Sequence, residues 1–260
     1  MSRRDAYEGD GPLVVASASG EVLRHPEAGG HLLTALEQRR ASRFHHESGR
    51  IDFTAAHILV RLCAARLLGI PAAGLTLAQH CPGCGTDEHG KPYLIGLPDV
   101  HVSLSHTRGV VAAAAGWQPV GIDVELPQRG GPAVGVAERV LTEGELHQVR
   151  AQADPSRAFL RQWVRKEAMI KIGRATLDTL DRLDLSALPP DVEGDAPLRS
   201  RHEDLHVLDW RDAPHLPDHR DGPGRSAPQD RAGRAVEAGA SVCAVSTRPP
   251  VPAHAAVFAG

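Results

Sequence analysis

The sequence predicts an α+β fold in two halves of similar plan. Two observations predict it. Helical segments bracket a strand-rich middle. The plan also echoes weakly within the chain. Arg43-Phe44-x2-Glu47 precedes a helix beginning at Phe53 and stopping at Gly69, and Arg139-Val140-x2-Glu143 precedes one beginning at Phe159 and stopping at Gly173. The halves divide near Pro119, giving 1–119 and 120–260.

Leu13 to Ala16 opens as a strand, and Leu32 to Arg43 carries helical apolar spacing. Asp52 to Leu68 places Phe53, Ala56, Val60, Cys63 and Leu67 on one stripe, with Gly69 as a stop. Leu75 to Ala78 reads as a short strand, followed by the loop His80-Cys81-Pro82-Gly83-Cys84-Gly85 and the turn Gly90-Lys91-Pro92. Val100 to Ser105, Val110 to Gly116 and Val120 to Glu125 are strands. Helices follow at about 134–140, 143–151 and 157–172, then a strand pair at 205–210 and 241–246. The intervening 211–239 is rich in Pro, Gly, Asp and Arg, and is expected to be a disordered insertion in that hairpin. The tail after Pro249 is expected to be loose.

At 260 residues with 42% hydrophobic and 23% charged, the chain can bury a sizeable core. A net charge of -3 argues against a nucleic-acid binder or a binder of anionic membranes. The longest apolar run, Val110 to Trp117, is far short of the roughly 20 residues a bilayer requires. No apolar region follows Arg3-Arg4, so no signal peptide and a cytoplasmic location are expected. Four cysteines make no disulfide scaffold. Of 29 basic residues only three are lysines, Lys91, Lys166 and Lys171. Drift toward arginine spares a lysine where a compact ammonium is needed, so these three are informative.

On a strand, Asp123 and Glu125 face the same way, with bases roughly 6 to 7 Å apart. Paired carboxylates raise each other's pKa unless a cation sits between them, and hard oxygen ligands suit Mg²⁺, although a solvated strand edge accounts for an isolated Asp-x-Glu as well. Val120, Ile122 and Val124 point oppositely, into a core, and Gly121 permits close approach of another backbone. In the helix 157–172, Glu167 and Lys171 are i, i+4 neighbours and Trp163 lies one turn earlier. A surface pair explains that spacing equally well, but the surrounding apolar stripe makes a third metal carboxylate with a phosphate-neutralising lysine an even alternative. Gly90-Lys91-Pro92 and Ser103-Leu104-Ser105-His106 could grip phosphate, although a hairpin turn and a backbone-satisfied histidine account for them as well.

In order and spacing, Gly90-Lys91-Pro92, Ser103-Leu104-Ser105-His106, Gly121-Ile122-Asp123-Val124-Glu125 and Phe159-x3-Trp163-x2-Lys166-Glu167-Ala168-x2-Lys171-x-Gly173 resemble the Sfp-type 4′-phosphopantetheinyl transferases. The likeness runs from about Leu32 to Gly173. It implies two pseudo-symmetric halves, each a small, mostly antiparallel sheet packed with helices, and an active site in the cleft between them. It implies transfer of phosphopantetheine from coenzyme A to a serine of an apo acyl or peptidyl carrier protein, releasing adenosine 3′,5′-bisphosphate. By the resemblance, Asp123, Glu125 and Glu167 hold Mg²⁺. Lys171 sits on the pyrophosphate, and Lys91, Ser105 and His106 contact coenzyme A. Lys166 and Trp163 hold the helix, and Glu145 is a further acidic position. Among Arg39, Arg40 and Arg43, Arg40 is favoured for the 3′-phosphate. Glu167 is the candidate base, with Asp123 and Lys171 the other catalytic groups. The length suggests a pseudo-dimeric monomer, and the family serves polyketide and peptide secondary metabolism.

Cys81-x2-Cys84 with His80 and His89 resembles half a zinc knuckle. Two reduced thiols in a tight Pro-Gly turn are favoured over zinc there, because four ligands would crowd one loop. The rivals to the main reading are a zinc-knuckle binding module, a non-catalytic carrier-protein binder and another Mg²⁺-dependent transferase.

Overall fold

The computed structural model describes residues 7, 9–127, 135–190, 197–212 and 239–253. Its strands form two sheets. The first contains β1 (Leu13–Ala18), β2 (Leu77–His80), β3 (Lys91–Leu94), β4 (His101–Thr107), β5 (Val110–Gly116) and β10 (Val251–Pro252), in the order β10-β1-β5-β4-β3-β2. The second contains β6 (Val120–Glu125), β7 (Leu198–His202), β8 (Leu205–Asp212) and β9 (Ala240–Ser246), in the order β6-β9-β8-β7. All pairings are antiparallel except β1 with β10. The helices are α1 (Ser19–Leu23), α2 (Ala35–Ser42), α3 (Glu47–Leu68), α4 (Val136–Val140), α5 (Glu143–Ala151) and α6 (Pro155–Ile172). The α+β class and the two sheets match the expectation.

The run Val110 to Gly116 explains the layering. Its side chains alternate in direction, and they are small enough to allow close packing on both faces. Val111, Ala113 and Ala115 pack beneath α3, with Ala56, Leu59, Val60 and Cys63 in the same core. Val110, Ala112 and Ala114 instead meet Val120, Ile122, Val124, Val242 and Ala244 of the second sheet. Beyond that sheet, Val164, Ala168 and Met169 of α6 cover Val207, Cys243 and Val245. The layers are thus helix, sheet, sheet, helix.

The stop signals fall where expected. Gly69 and Gly173 end α3 and α6 with φ of 66° and 86°, the left-handed conformation that glycine adopts without strain. The predicted stripe of α3 is buried, but the helix starts earlier, at Glu47, and buries nearly every residue from Asp52 to Ala65. Residues 32–34 precede α2 rather than join it, because Thr34 and Glu37 form a capping box that begins the helix at Ala35. Three strands were not expected, β3, β7 and β10. The tail beyond Pro249 is not loose at its start. Val251 and Pro252 pair with Leu13 and Val14, and Val251 donates to Pro12 O at 2.9 Å. The hairpin β8–β9 pairs as expected, from His206 opposite Ser246 to Asp212 opposite Ala240. Most of the expected insertion, 213–238, lies outside the described residues.

Candidate active site

Strand β6 turns its odd-numbered residues away from the inter-sheet core and toward α6. A Cβ added at Gly121 would lie 2.1 Å from the Ala168 carbonyl oxygen, so the glycine lets the helix rest directly on the strand. That contact brings the last turn of α6 onto Asp123. Lys171 Nζ donates to Asp123 Oδ1 at 2.7 Å, to Ile122 O at 2.9 Å and to Leu104 O at 3.3 Å. Ser105 Oγ donates to the same Asp123 Oδ1 at 2.6 Å. Ser103 Oγ, two residues back on β4, accepts from Ile122 N at 3.1 Å and ties the two sheets together at this point. Asp123 is buried, and its Oδ2 has no hydrogen-bond partner among the described residues.

Two further carboxylates lie within electrostatic reach of Asp123. Burial, then the charge of Asp123, pushes the Glu125 carboxyl up to about 7, against a hydrogen bond from Thr107 and the charge of Lys171. Burial and Asp123 also raise Glu167, with Lys171 opposing. Asp123, Glu125 and Glu167 do not converge as a trio with one oxygen from each within 4.8 Å of the others; the described residues that converge so are Cys81, Cys84 and His89. An orphaned buried oxygen on Asp123 and two carboxyls lifted first by burial and then by the charge of Asp123 nevertheless form a site short of positive charge. Hard oxygen donors of this kind fit Mg²⁺, which uses one or two protein carboxylates and takes its remaining ligands from phosphate and water.

Beside the acidic group lies a basic and aromatic wall. His106 meets Phe53 edge-on at 6.4 Å, Phe53 stacks on His57 at 4.1 Å, and the Arg40 guanidinium lies 5.0 Å over the Phe53 ring. Burial lowers the pKa of His106, and the charges of Lys171 and Arg40 reinforce the shift against Asp52. Arg40 also donates to Gln79, whose Nε2 donates to Gly90 O at 3.1 Å, next to Lys91. Lys91 itself is exposed at the start of β3, and the register Tyr93 opposite His101 runs it toward the Ser103 end of β4. The structure therefore joins Asp123, Lys171 and Ser105 by direct contact and Arg40 with His106 through Phe53. Among the described residues no hydrogen bond or ion pair links Lys91 to either group.

Lys166 faces the other way. It forms an ion pair of 2.8 Å with Glu145, both side chains fully buried, and donates to Leu180 O and Leu183 O at 2.6 Å each. Glu145 also accepts from Thr142 N and Leu185 N. This pair locks α5, α6 and the turn at 177–182 together, and it gives Glu145 a structural role. Sequence reasoning missed Thr107, the partner of Glu125. Its signal was the spacing Ser103-x-Ser105-x-Thr107, three hydroxyls on one face of β4.

Residues 119–222 match the 4′-phosphopantetheinyl transferase superfamily. Among curated proteins, the chain is 28% identical over 141 residues to a 4′-phosphopantetheinyl transferase of Bacillus subtilis, covering 54% of this chain and 59% of that protein. It is 26% identical over 137 residues to the Sfp transferase of Bacillus subtilis, covering 52% and 57%. It is 36% identical over 90 residues to the psf-1 transferase of Bacillus pumilus, covering 34% and 37%. The aligned part thus spans less than two thirds of each of these relatives.

Proposed function

Since the segment carrying Asp123, Glu125, Glu167 and Lys171 is kin to the 4′-phosphopantetheinyl transferases, we propose that the chain transfers phosphopantetheine from coenzyme A to a serine of an apo acyl or peptidyl carrier protein. The serine oxygen attacks the phosphorus that bears pantetheine. The bond from that phosphorus to the bridging oxygen breaks, and adenosine 3′,5′-bisphosphate leaves with the electron pair. The reaction sits in the cleft between halves 1–119 and 120–260 of a cytoplasmic, pseudo-dimeric monomer serving polyketide or peptide pathways.

The observation that carries this reading is the buried Asp123 with its unpartnered Oδ2, set between Lys171 and two carboxyls of raised pKa. Asp123, Glu125 and Glu167 would hold Mg²⁺, which when bound supplies charge neutralisation on the pyrophosphate. Lys171 adds a fixed ammonium where negative charge develops on the leaving phosphate. Glu167, made a stronger proton acceptor by burial and by Asp123, takes the serine proton. Ser105, His106 and Lys91 contact coenzyme A, while Arg40 takes its 3′-phosphate.

Incubation with coenzyme A, Mg²⁺ and several apo carrier proteins should add the mass of phosphopantetheine, read by intact-protein mass spectrometry. No increment on any carrier would defeat the reading. Asp123→Ala and Glu167→Ala should keep the circular dichroism of the parent yet lose at least about 100-fold in rate, the scale expected for removing a transition-state electrostatic group.

A further inference from the structure

The loop between β2 and β3 holds a second cluster, apart from the carboxylates. Sγ of Cys81, Sγ of Cys84 and a ring nitrogen of His89 all lie within 4.8 Å of one another, with Cys84 Sγ 3.3 Å from His89 Nε2. The loop is shaped for this. Cys81 N donates to Thr86 O at 2.9 Å and Gly85 N donates to Cys81 O at 2.8 Å, folding Pro82-Gly83-Cys84 into a tight turn. Gly85 takes φ of 70° and Gly90 φ of 108°, both conformations that favour glycine. Cys84 is exposed and Cys81 half-buried, so an ion can enter, and neither thiol is in a disulfide.

We infer that Cys81, Cys84 and His89 bind one Zn²⁺ ion. Two thiolates and an imidazole are soft and borderline donors, which select Zn²⁺ over the hard Mg²⁺. No fourth His, Cys, Asp or Glu among the described residues converges with the three, so the fourth tetrahedral position falls to water. The crowding that argued against zinc on sequence grounds assumed four ligands from one loop; three suffice.

The loop is anchored at its other contacts by Arg43, which holds Glu88 with two hydrogen bonds of 2.8 and 3.2 Å, and by Gln79 on Gly90 O. Zinc would therefore fix the segment that runs directly into Lys91. That this matters for coenzyme A rests on the function proposed above; the binding of zinc does not.

The test uses the full chain, reduced and stripped of metal, and titrates Co²⁺ as the probe. Saturation at about one equivalent, with the thiolate-to-cobalt charge-transfer and intense visible bands of a tetrahedral site, is expected. Zn²⁺ should then displace the cobalt and bleach the bands. Cys84→Ser and His89→Ala, both at exposed side chains, should melt as the metal-free parent does and lose the bands. Absence of the bands in the parent, or a mass two hydrogens light from a Cys81–Cys84 disulfide that resists mild reduction, would overturn the assignment. Carrier-protein transfer is not the readout, so failure of the zinc site and failure of the transferase reading are distinguishable.

Discussion

Lys171 places all three ammonium protons inside the protein, on Leu104 O, Ile122 O and Asp123 Oδ1. For a donor phosphate to reach it, the 3.3 Å bond to Leu104 is the easiest to exchange, since hydrogen bonds weaken with length. A guanidinium is planar and cannot place three donors on this tripod from one nitrogen. Lys171→Arg should therefore keep the charge but lose transfer, by about 10-fold or more, while Arg150→Lys on the exposed face of α5 should be silent. Steady-state rates of the two variants check this, and a silent Lys171→Arg would reduce the retained lysine to chance. The same geometry shows what residue types alone can reveal. The spacing of Asp123, Glu125, Glu167 and Lys171 was legible because a strand's two-residue period and a helix turn determine which side chains share a face. Lys166 was not separable from Lys171 by composition. Only its burial against Glu145 shows that one lysine holds the helix and the other faces the carboxylates.

Helix α6 carries the site because nothing at position 121 keeps it off β6. Gly121→Ala would drive a methyl into the Ala168 carbonyl, a backbone atom that cannot swing aside as a side-chain tip can. The expected cost is about 1–3 kcal/mol for overpacking, seen as a lower melting temperature, together with a loss of transfer greater than the loss of folded protein. Strong local signals made most elements legible. The alternation in β4, the apolar run of β5, the Gly69 and Gly173 stops and the Pro119 turn all act within a few residues. The strands that were missed depend on a neighbouring strand rather than on a pattern of their own. β3 is a strand because Lys91 to Leu94 pair with Leu77 to His80 across the loop, and β7 because Leu198 to His202 pair with β8. The start of α2 was a different case. Thr34-x2-Glu37 is a local capping signal, and it outweighed the apolar spacing of Leu32 and Leu33.

In the whole molecule, the first half carries a buried charge network with a consequence for acid stability. Glu37 accepts from Arg61 at 2.6 and 2.9 Å and from His57 Nδ1 at 2.6 Å, all three side chains being buried. Burial would raise the Glu37 carboxyl, but the hydrogen bonds from His57 and Arg61 and the Arg61 charge prevail and hold it at about 2. Burial lowers His57, so it stays neutral and donates from Nδ1. Both groups take up protons more readily when unfolded. The contribution of Glu37 is complete above its ordinary value near 4.3, lost as pH falls toward 2, and on the order of 3 kcal/mol. His57 adds a loss that begins below about 6.5. Melting temperature should fall steadily from pH 7 to pH 3, and Glu37→Gln, less stable at neutrality, should flatten the lower part of that limb. A parent curve flat across this range would contradict the network.

The face-to-face packing of the two sheets has one more implication. Among the described residues, β6, β9 and their neighbours are the apolar cover on the inner side of Val110, Ala112 and Ala114, and the last described strand returns to pair with the first. Neither half can open without wetting the interior of the other. Heat should therefore meet a single cooperative unit, and both halves should be lost in one transition despite the repeated plan.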